Sequence, residues 1–559
     1  MYNTKTLDDF LGKASHELPT FEWTGHPFVD AGLTAILLLS KKSKPQDLTW
    51  DDIEKAVEFV SDLYARKEWR IDYLHGMVMP NNGIIMANPG ALNPIKSAIK
   101  RAAEQEKKKI NTNRQTNTTE NLKIPASQHA LKVLSSYISK KFDQKLAQDL
   151  VSYLKSLSIE DLGNPKKEED LIKKLYRLIV DQEFIARAIK RKIRVNLEEL
   201  LQDTKRKNGQ QNGEGTCVIC GKRPAYDKKE RYRSIFPLLG TGDVPNYFPS
   251  GNRRGEYICS HCLFLAQFMP LIAYRMQRLL IIHTNPPEFM LRFHEEALND
   301  VRKTQLASNA RGFRRPENFL FEKLMEIGRD LELGKLDGVS ITLYYFVSNN
   351  QGQEIDIIYI PNPVLRFIAF AGPEFRKIAN MGWAKGCTRR RSEEEVVREC
   401  RNEVYHRLLE NESILPYFVD IQNRRVNSSW RLLEFYCLEV LSLEKDALEF
   451  VRDVADRIVE TLEKLPDNKL ARRVRELERA DKLYQFEAFF IRVEKDRQEL
   501  GVPKALITFD EFATLLTSYG EDLNVSWRTV KHLILFRIYE KLHDRLMKVK
   551  EEEEEVEEE

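Results

Sequence analysis

Cysteine is scarce in this chain. Its 559 residues hold seven, an odd number, too few for a disulfide scaffold. That usage fits a reducing cytosol, so a cytoplasmic location is expected. No run of about 18 uncharged apolar residues occurs, so no membrane-spanning helix is expected. The opening MYNTKTLDDFLGKASHEL has no basic segment followed by an apolar one, and no signal peptide is expected. A G-x-x-x-x-G-K-[S/T] phosphate loop is missing, and no two histidines have H-x-x-x-H spacing. His26 and Asp30, one helical turn apart, read as a helix N-terminal feature rather than a catalytic pair. No catalytic constellation emerges, so no enzyme is expected. Strand character is sparse, and there is no internal repeat.

What is present is ample core-forming material: 42% hydrophobic and 10% aromatic residues, enough for two to four domains at this length. The net charge of +3 conceals an asymmetry. The last nine residues contain eight glutamates, and without them the body carries +11. A basic body with an acidic tail points to nucleic acid as the first partner to consider.

The pattern predicts a mainly α, multi-domain chain with a minor β component. Residues 1–95 form a largely helical domain, in which Phe28–Leu39 is apolar on nearly all sides. Trp50–Tyr64 places Ile53, Val57 and Val60 at helical spacing behind acids that follow Thr49. A polar mobile loop covers 96–125, and a helical segment covers 126–204. Its basic stripe sets Arg187, Lys190, Arg191, Lys192 and Arg194 around Ile185, Ile189 and Ile193, with the basic side chains radiating outward. A linker at 205–215 leads to a cysteine module at 216–265. A mixed part at 266–392 holds a hairpin, Val339–Val347 and Glu354–Ile360. A helical bundle spans 393–550, in which Leu448, Val451, Ala455, Ile458, Leu462 and Leu465 form a seam stopped by Pro466. Further helices are expected at 469–499 and 526–549, and the acidic tail follows at 551–559.

Cys217-Val-Ile-Cys220 and Cys259-Ser-His-Cys262 are two C-x-x-C knuckles separated by 38 residues. Two cysteines three apart grip one metal from a single turn, and two knuckles complete a tetrahedral thiolate shell suited to Zn²⁺. Four sulfurs leave no open position for water, so the zinc is structural. The competing readings are two disulfides, four unrelated thiols, or His261 in place of a neighbouring cysteine. Cys387, Cys400 and Cys437 show no metal spacing and read as ordinary thiols.

This quartet, with Trp23–Leu39 (WTGHPFVDAGLTAILLL), resembles the CXXC–CXXC family of CRISPR-associated proteins, which supplies the large subunit of type I (I-A/I-B-like) Cascade effector complexes. The resemblance runs in order along essentially the whole chain, apart from the acidic tail. It implies a non-catalytic subunit near the 5′ end of a guide RNA. Such a subunit helps to recognise a protospacer-adjacent motif in double-stranded DNA, open the target and stabilise the R-loop. The implied partners are the guide RNA, the target DNA, the backbone, 5′-end-binding and small subunits, and a recruited nuclease–helicase. Sequence reading itself is delegated to base pairing.

Candidate nucleic-acid contacts are basic clusters beside turns or aromatics. They comprise the stripe Arg187, Lys190, Arg191, Lys192 and Arg194; the linker Lys205–Lys207; Arg253 and Arg254; Arg311, Arg314 and Arg315; and Arg389, Arg390 and Arg391. The Asn-Gly and Pro-Gly turns near Asn81, Asn82 and Asn88 offer a backbone able to approach a groove and amides able to read base edges. The rival readings are a metal-dependent nuclease that uses the zinc module as a prop, and a zinc-ribbon adaptor of transcription or translation.

Overall fold

A computed structural model describes residues 20–66, 100–101, 104, 135–136, 144–157, 178–179, 182–202, 215–217, 219–221, 224–225, 259–327, 333–349, 352–384, 387, 391–520 and 522–558. These residues are mainly helical with a small β component. None of the described helices is long and apolar enough to cross a membrane. The chain divides into two compact units: residues 1–312 with 342–358, and residues 313–341 with 359–559. The breaks between units, after 312, 341 and 358, all fall inside the segment 266–392, and the last two lie within the predicted hairpin.

In the first unit, α1 (Pro27–Ser40) starts with proline at its first turn and is buried from Pro27 through Leu37. Helix α2 (Trp50–Ala65) is nucleated by a reciprocal capping box between Thr49 and Asp52, and buries Ile53, Val57 and Val60. After α3 (Gln144–Ser156) comes α4 (Glu183–Gln202), which lies along α2. Ile185, Ile189 and Ile193 are buried as their spacing predicts. Two short strands, β1 (Gly215–Thr216) and β2 (Pro224–Ala225), pair antiparallel. Helix α5 (Ser260–Ala266) packs on α1 and α4. Strands β3 (Tyr274–Arg275) and β4 (Leu279–Asn285), which had no clear sequence signature, precede α6 (Met290–Thr304). The predicted hairpin is present as β5 (Ser340–Asn349) and β6 (Gly352–Ile360), and the sheet order is β3-β4-β5-β6. Helices α1 and α6 pack on β4, and Phe28 meets Phe346 at a ring separation of 4.8 Å. The nitrogens of the buried His294 lie 2.9 and 2.8 Å from the carbonyls of Ile272 and Ile282, bridging the two segments.

The second unit holds α7 (Pro316–Ile327), α8 (Asn362–Ala371), α9 (Phe375–Asn380), α10 (Glu393–Glu399) and α11 (Glu403–Leu409). A two-stranded pair, β7 (Val419–Asp420) and β8 (Arg425–Val426), leads to α12 (Trp430–Glu439). The bundle follows: α13 (Lys445–Glu463), α14 (Asp467–Glu478), α15 (Leu483–Glu499), α16 (Phe509–Thr517) and α17 (Leu523–Glu558). The seam from Leu448 to Leu465 is buried, and α13 packs on α17. The helix expected over 469–499 is broken at 479–482. Lys531 explains the break: its ammonium donates to the carbonyls of Glu478 and Ala480, which the ended helix leaves without partners. The acidic tail continues α17 as helix as far as Glu558.

Candidate metal centre

The first knuckle sits in the turn between β1 and β2, where pairing of Thr216 with Pro224 holds the chain ends together. The Gly221 N–H donates to the Cys217 carbonyl at 2.8 Å, and Gly221 has φ +67°, the left-handed conformation that glycine adopts without strain. The second knuckle opens a helix. Cys259 is the N-cap of α5, and its sulfur accepts from the Cys262 N–H at 3.5 Å. A helix N-terminus favours negative charge, which suits a thiolate. The Cys259 N–H in turn donates to the Cys217 sulfur at 3.3 Å.

The four Sγ atoms lie within 4.8 Å of one another. Cys217–Cys262 and Cys220–Cys259 are separated by 3.9 and 3.8 Å. A tetrahedron with metal–sulfur bonds of ~2.3 Å has edges of about 3.8 Å, so the donor set fits Zn²⁺. Crowding the four sulfurs also moves their titration in opposite directions. The hydrogen bond from Cys220 opposes ionisation of Cys217, but those from Cys259 and Cys262 prevail and bring its pKa down to about 6. Cys259 and Cys262 move the other way, chiefly because each faces the Cys217 sulfur. One thiolate thus raises its neighbours, and a bound divalent cation would favour the thiolate form of all four. Such a site holds structure and offers no open position for substrate.

His261 points away from this role. It is buried, and its ring meets Phe21 edge-on at 6.1 Å; Phe21 also stacks on Phe264 of α5 at 6.1 Å. The N-terminal segment is thus part of the centre's support. Gly32 on α1 is the contact point: a β-carbon there would lie 1.8 Å from the Leu265 carbonyl oxygen of α5. A glycine amid large apolar residues was the sequence signal for this approach. Asp30, read as a helix N-terminal feature, ties down the turn before α1. Its carboxylate accepts from the Thr24 N–H (2.8 Å), Thr24 Oγ1 (2.9 Å) and the Gly25 N–H (2.9 Å), and lies 3.1 Å from His283 Nε2. Its histidine partner is therefore His283 on β4. Desolvation, followed by the facing His283, lowers the pKa of the half-buried His26 to about 3.

The described basic candidates are engaged inside their own units. Lys190 pairs with Glu58 and Asp62, and Arg194 with Glu54, Glu58 and Glu198, so the inner half of the stripe fastens α4 to α2 instead of radiating outward. A stripe beside α2's acids neutralises them because α2 and α4 lie side by side. Arg187 pairs with Glu183 on its own helix, and Arg191 is exposed. Arg311 grips Glu296 through two bonds of 2.6 and 2.7 Å. Arg314 and Arg391 meet at one carboxylate, Glu399, at 3.0 and 3.5 Å, while Arg315 binds the Glu399 carbonyl and Glu317. Asn81, Asn82, Asn88, Lys205–Lys207, Arg253, Arg254, Arg389, Arg390 and the Lys192 side chain lie outside the described residues. So do nearly all of 96–125 and the linker. Cys387 and Cys400 correct the reading as ordinary thiols: they form a disulfide, because the backbone brings their Cα atoms to 6.0 Å. Cys437 remains a free buried thiol, its pKa raised by burial.

Residues 210–274 match the model of a family described as CRISPR-associated protein (Cas_CXXC_CXXC). The matched stretch contains both knuckles and α5 and ends at Tyr274, the first residue of β3. Comparison with curated proteins and with solved structures found no match.

Proposed function

We propose that the chain is a non-catalytic large subunit of a type I CRISPR RNA-guided surveillance complex, stabilised by a structural zinc ion. In this role it helps to recognise the protospacer-adjacent motif in target DNA, open the duplex, hold the R-loop and recruit the nuclease–helicase. The carrying observation is the four-sulfur centre inside the family-like stretch 210–274, braced at Gly32 by the Trp23–Leu39 segment that shares the resemblance. Zn²⁺ supplies charge and cross-linking; Cys217, Cys220, Cys259 and Cys262 would hold it. Motif reading would fall to the Asn81, Asn82 and Asn88 turns through base edges, while the basic clusters would hold the nucleic acid through phosphate contacts that weaken with salt.

The test is a tagged pull-down from native cells, with the associated proteins identified and the nucleic acid sequenced. The expected result is a stoichiometric repeat-derived guide RNA together with backbone subunits. Recovery with polymerase or ribosomes, or divalent-metal-dependent cleavage of DNA by the purified chain, would overturn this reading.

A further inference from the structure

We infer that α16 is a docking helix: its outward stripe, Phe509, Phe512, Ala513 and Leu516, accepts an amphipathic helix of another protein, apolar along one face and bordered by lysine or arginine. The four residues stand at i, i+3, i+4 and i+7, the stripe that a helix normally turns toward its own core. Here it faces out. Phe509 is 85% exposed, Ala513 is exposed, and Phe512 and Leu516 are half-buried; within α16 it is Leu515 that is buried. Of the ten large apolar residues that are exposed among the described residues, six lie between Tyr484 and Val525, so open apolar surface is concentrated on this part of the bundle. Both ends of α16 are fastened. Thr508 and Glu511 form a reciprocal capping box, and Arg457 of α13 donates to the Leu506 carbonyl at 2.9 Å and to Glu511 at 3.1 Å. Past the helix, Ser526 Oγ donates to the Leu515 carbonyl at 3.3 Å and accepts from the Tyr519 N–H at 3.1 Å. On the inner side, the Phe512 ring meets Phe490 of α15 edge-on at 5.2 Å. A helix held in this way loses little freedom when a partner arrives, and Phe509 in water forgoes burial that a partner can supply.

Charge selects the occupant. Residues 509–525 contain four acids, Asp510, Glu511, Glu521 and Asp522, and no lysine or arginine, in a chain with 88 of these bases. Glu511 pairs with Arg457, which leaves Asp510, exposed beside the stripe, and Asp522, exposed just before α17. Such a border repels phosphate, so nucleic acid and an anionic membrane are unfavourable occupants. A two-fold contact with a second copy would bring the acids of one chain toward those of the other. A partner helix with basic residues beside an apolar stripe matches both features, and an i, i+3, i+4, i+7 set is the form in which helices are recognised. This face and its charge are independent of the surveillance-complex role.

The experiment uses the full-length, zinc-loaded protein and a fluorescent amphipathic helical peptide of leucine and lysine, with a leucine–glutamate peptide of the same pattern as its counterpart. Anisotropy should show saturable binding of the leucine–lysine peptide and far weaker binding of the other. Phe509→Ser removes a ring that stands in water, so it should leave the thermal transition in place and weaken leucine–lysine binding about tenfold. Asp510→Lys should weaken it as well and admit the leucine–glutamate peptide. Ile421→Ser removes an apolar side chain that is 45% exposed elsewhere in the second unit, and should leave binding unchanged. The acidic tail is present in every variant, so these differences report on α16. Equal leucine–lysine binding by Phe509→Ser and the parent protein, or equal binding of the two peptides by the parent, would overturn the inference. A dimer in sedimentation that Phe509→Ser dissociates would assign the face to a second copy, and weaker oligonucleotide binding by that variant would assign it to nucleic acid; either result also overturns it.

Discussion

Helix α5 in the first unit has seven residues, whereas α13 in the second has 19. A helix of two turns does not persist on its own, because nucleation costs more than so few hydrogen bonds return. The first unit supports α5 from outside, with a four-sulfur centre at its N-terminus, a backbone-to-backbone approach at Gly32, and the Phe21–Phe264 stack. The second unit needs no such cross-link in its bundle. Leu448, Val451, Ile458 and Leu462 form a continuous buried stripe. At its centre, Arg473 grips Asp496 at 2.6 and 3.1 Å, joined by Lys469 at 2.8 Å. Short elements thus depend on a few irreplaceable contacts, while long amphipathic ones distribute the same burden.

The largest expected break in this contrast is metal loss. Cys217→Ser or Cys259→Ser should release zinc and unfold the 216–265 module, removing on the order of 10 kcal/mol of coupled folding energy. Zinc stoichiometry and a thermal scan check this. The first unit's transition should shift or vanish, and the second unit's should stay. Unchanged zinc content in both single variants would contradict the quartet.

Next comes Asp496→Ala, which removes the two-bonded partner of the buried Arg473, leaves it Glu476 alone, and should cost about 3 kcal/mol in the second unit alone. Burial works against ionisation of Asp496, yet hydrogen bonds from Arg473 and Lys469 hold its pKa below the usual carboxylate range. Its contribution is therefore complete above the unfolded carboxylate pKa and is lost as pH falls through the folded value. Denaturant unfolding of the variant with zinc intact measures the loss.

Gly32→Ala should follow, at about 1–3 kcal/mol for overpacking, because the obstructing atom is the Leu265 backbone oxygen and no rotamer can yield. It should lower the first unit's melting temperature and weaken zinc retention against a chelator, with the second unit unaffected.

The smallest effect is a pH slope. His26 has its folded pKa lowered to about 3, chiefly by desolvation, so the unfolded chain takes up the proton first. Stability from this group is full above about pH 6.5 and declines as pH falls toward 3, by about 2 kcal/mol between pH 7 and pH 5. His26→Gln should flatten that part of the first unit's slope. An unaltered slope would mean that His26 is hydrated in the folded protein.

Much of this architecture was legible from residue patterns. The capping box at Thr49, the isoleucine ladder of α4, the hairpin at 340–360 and the α13 seam each follow from local spacing, and each is found. The quartet was legible too, since C-x-x-C encodes its own turn. The β3–β4 strands were not, because a short buried strand carries no alternation to distinguish it from a buried helix. The ion pairs within the basic clusters were not legible for another reason: a sequence shows cations along one chain, while the acids that pair with them arrive from elsewhere. Lys190 meets Glu58 and Asp62, and Arg391 meets Arg314 across Glu399.

The sequence alone determined the periodicities, the caps and the two cysteine knuckles, because each depends on residues a few positions apart. Tertiary structure alone decided which helix braces the metal centre, which histidine Asp30 holds, which arginines remain outward and which thiols join. Each of these is set by distances between segments dozens or hundreds of residues apart, and only close packing of the folded chain fixes such distances.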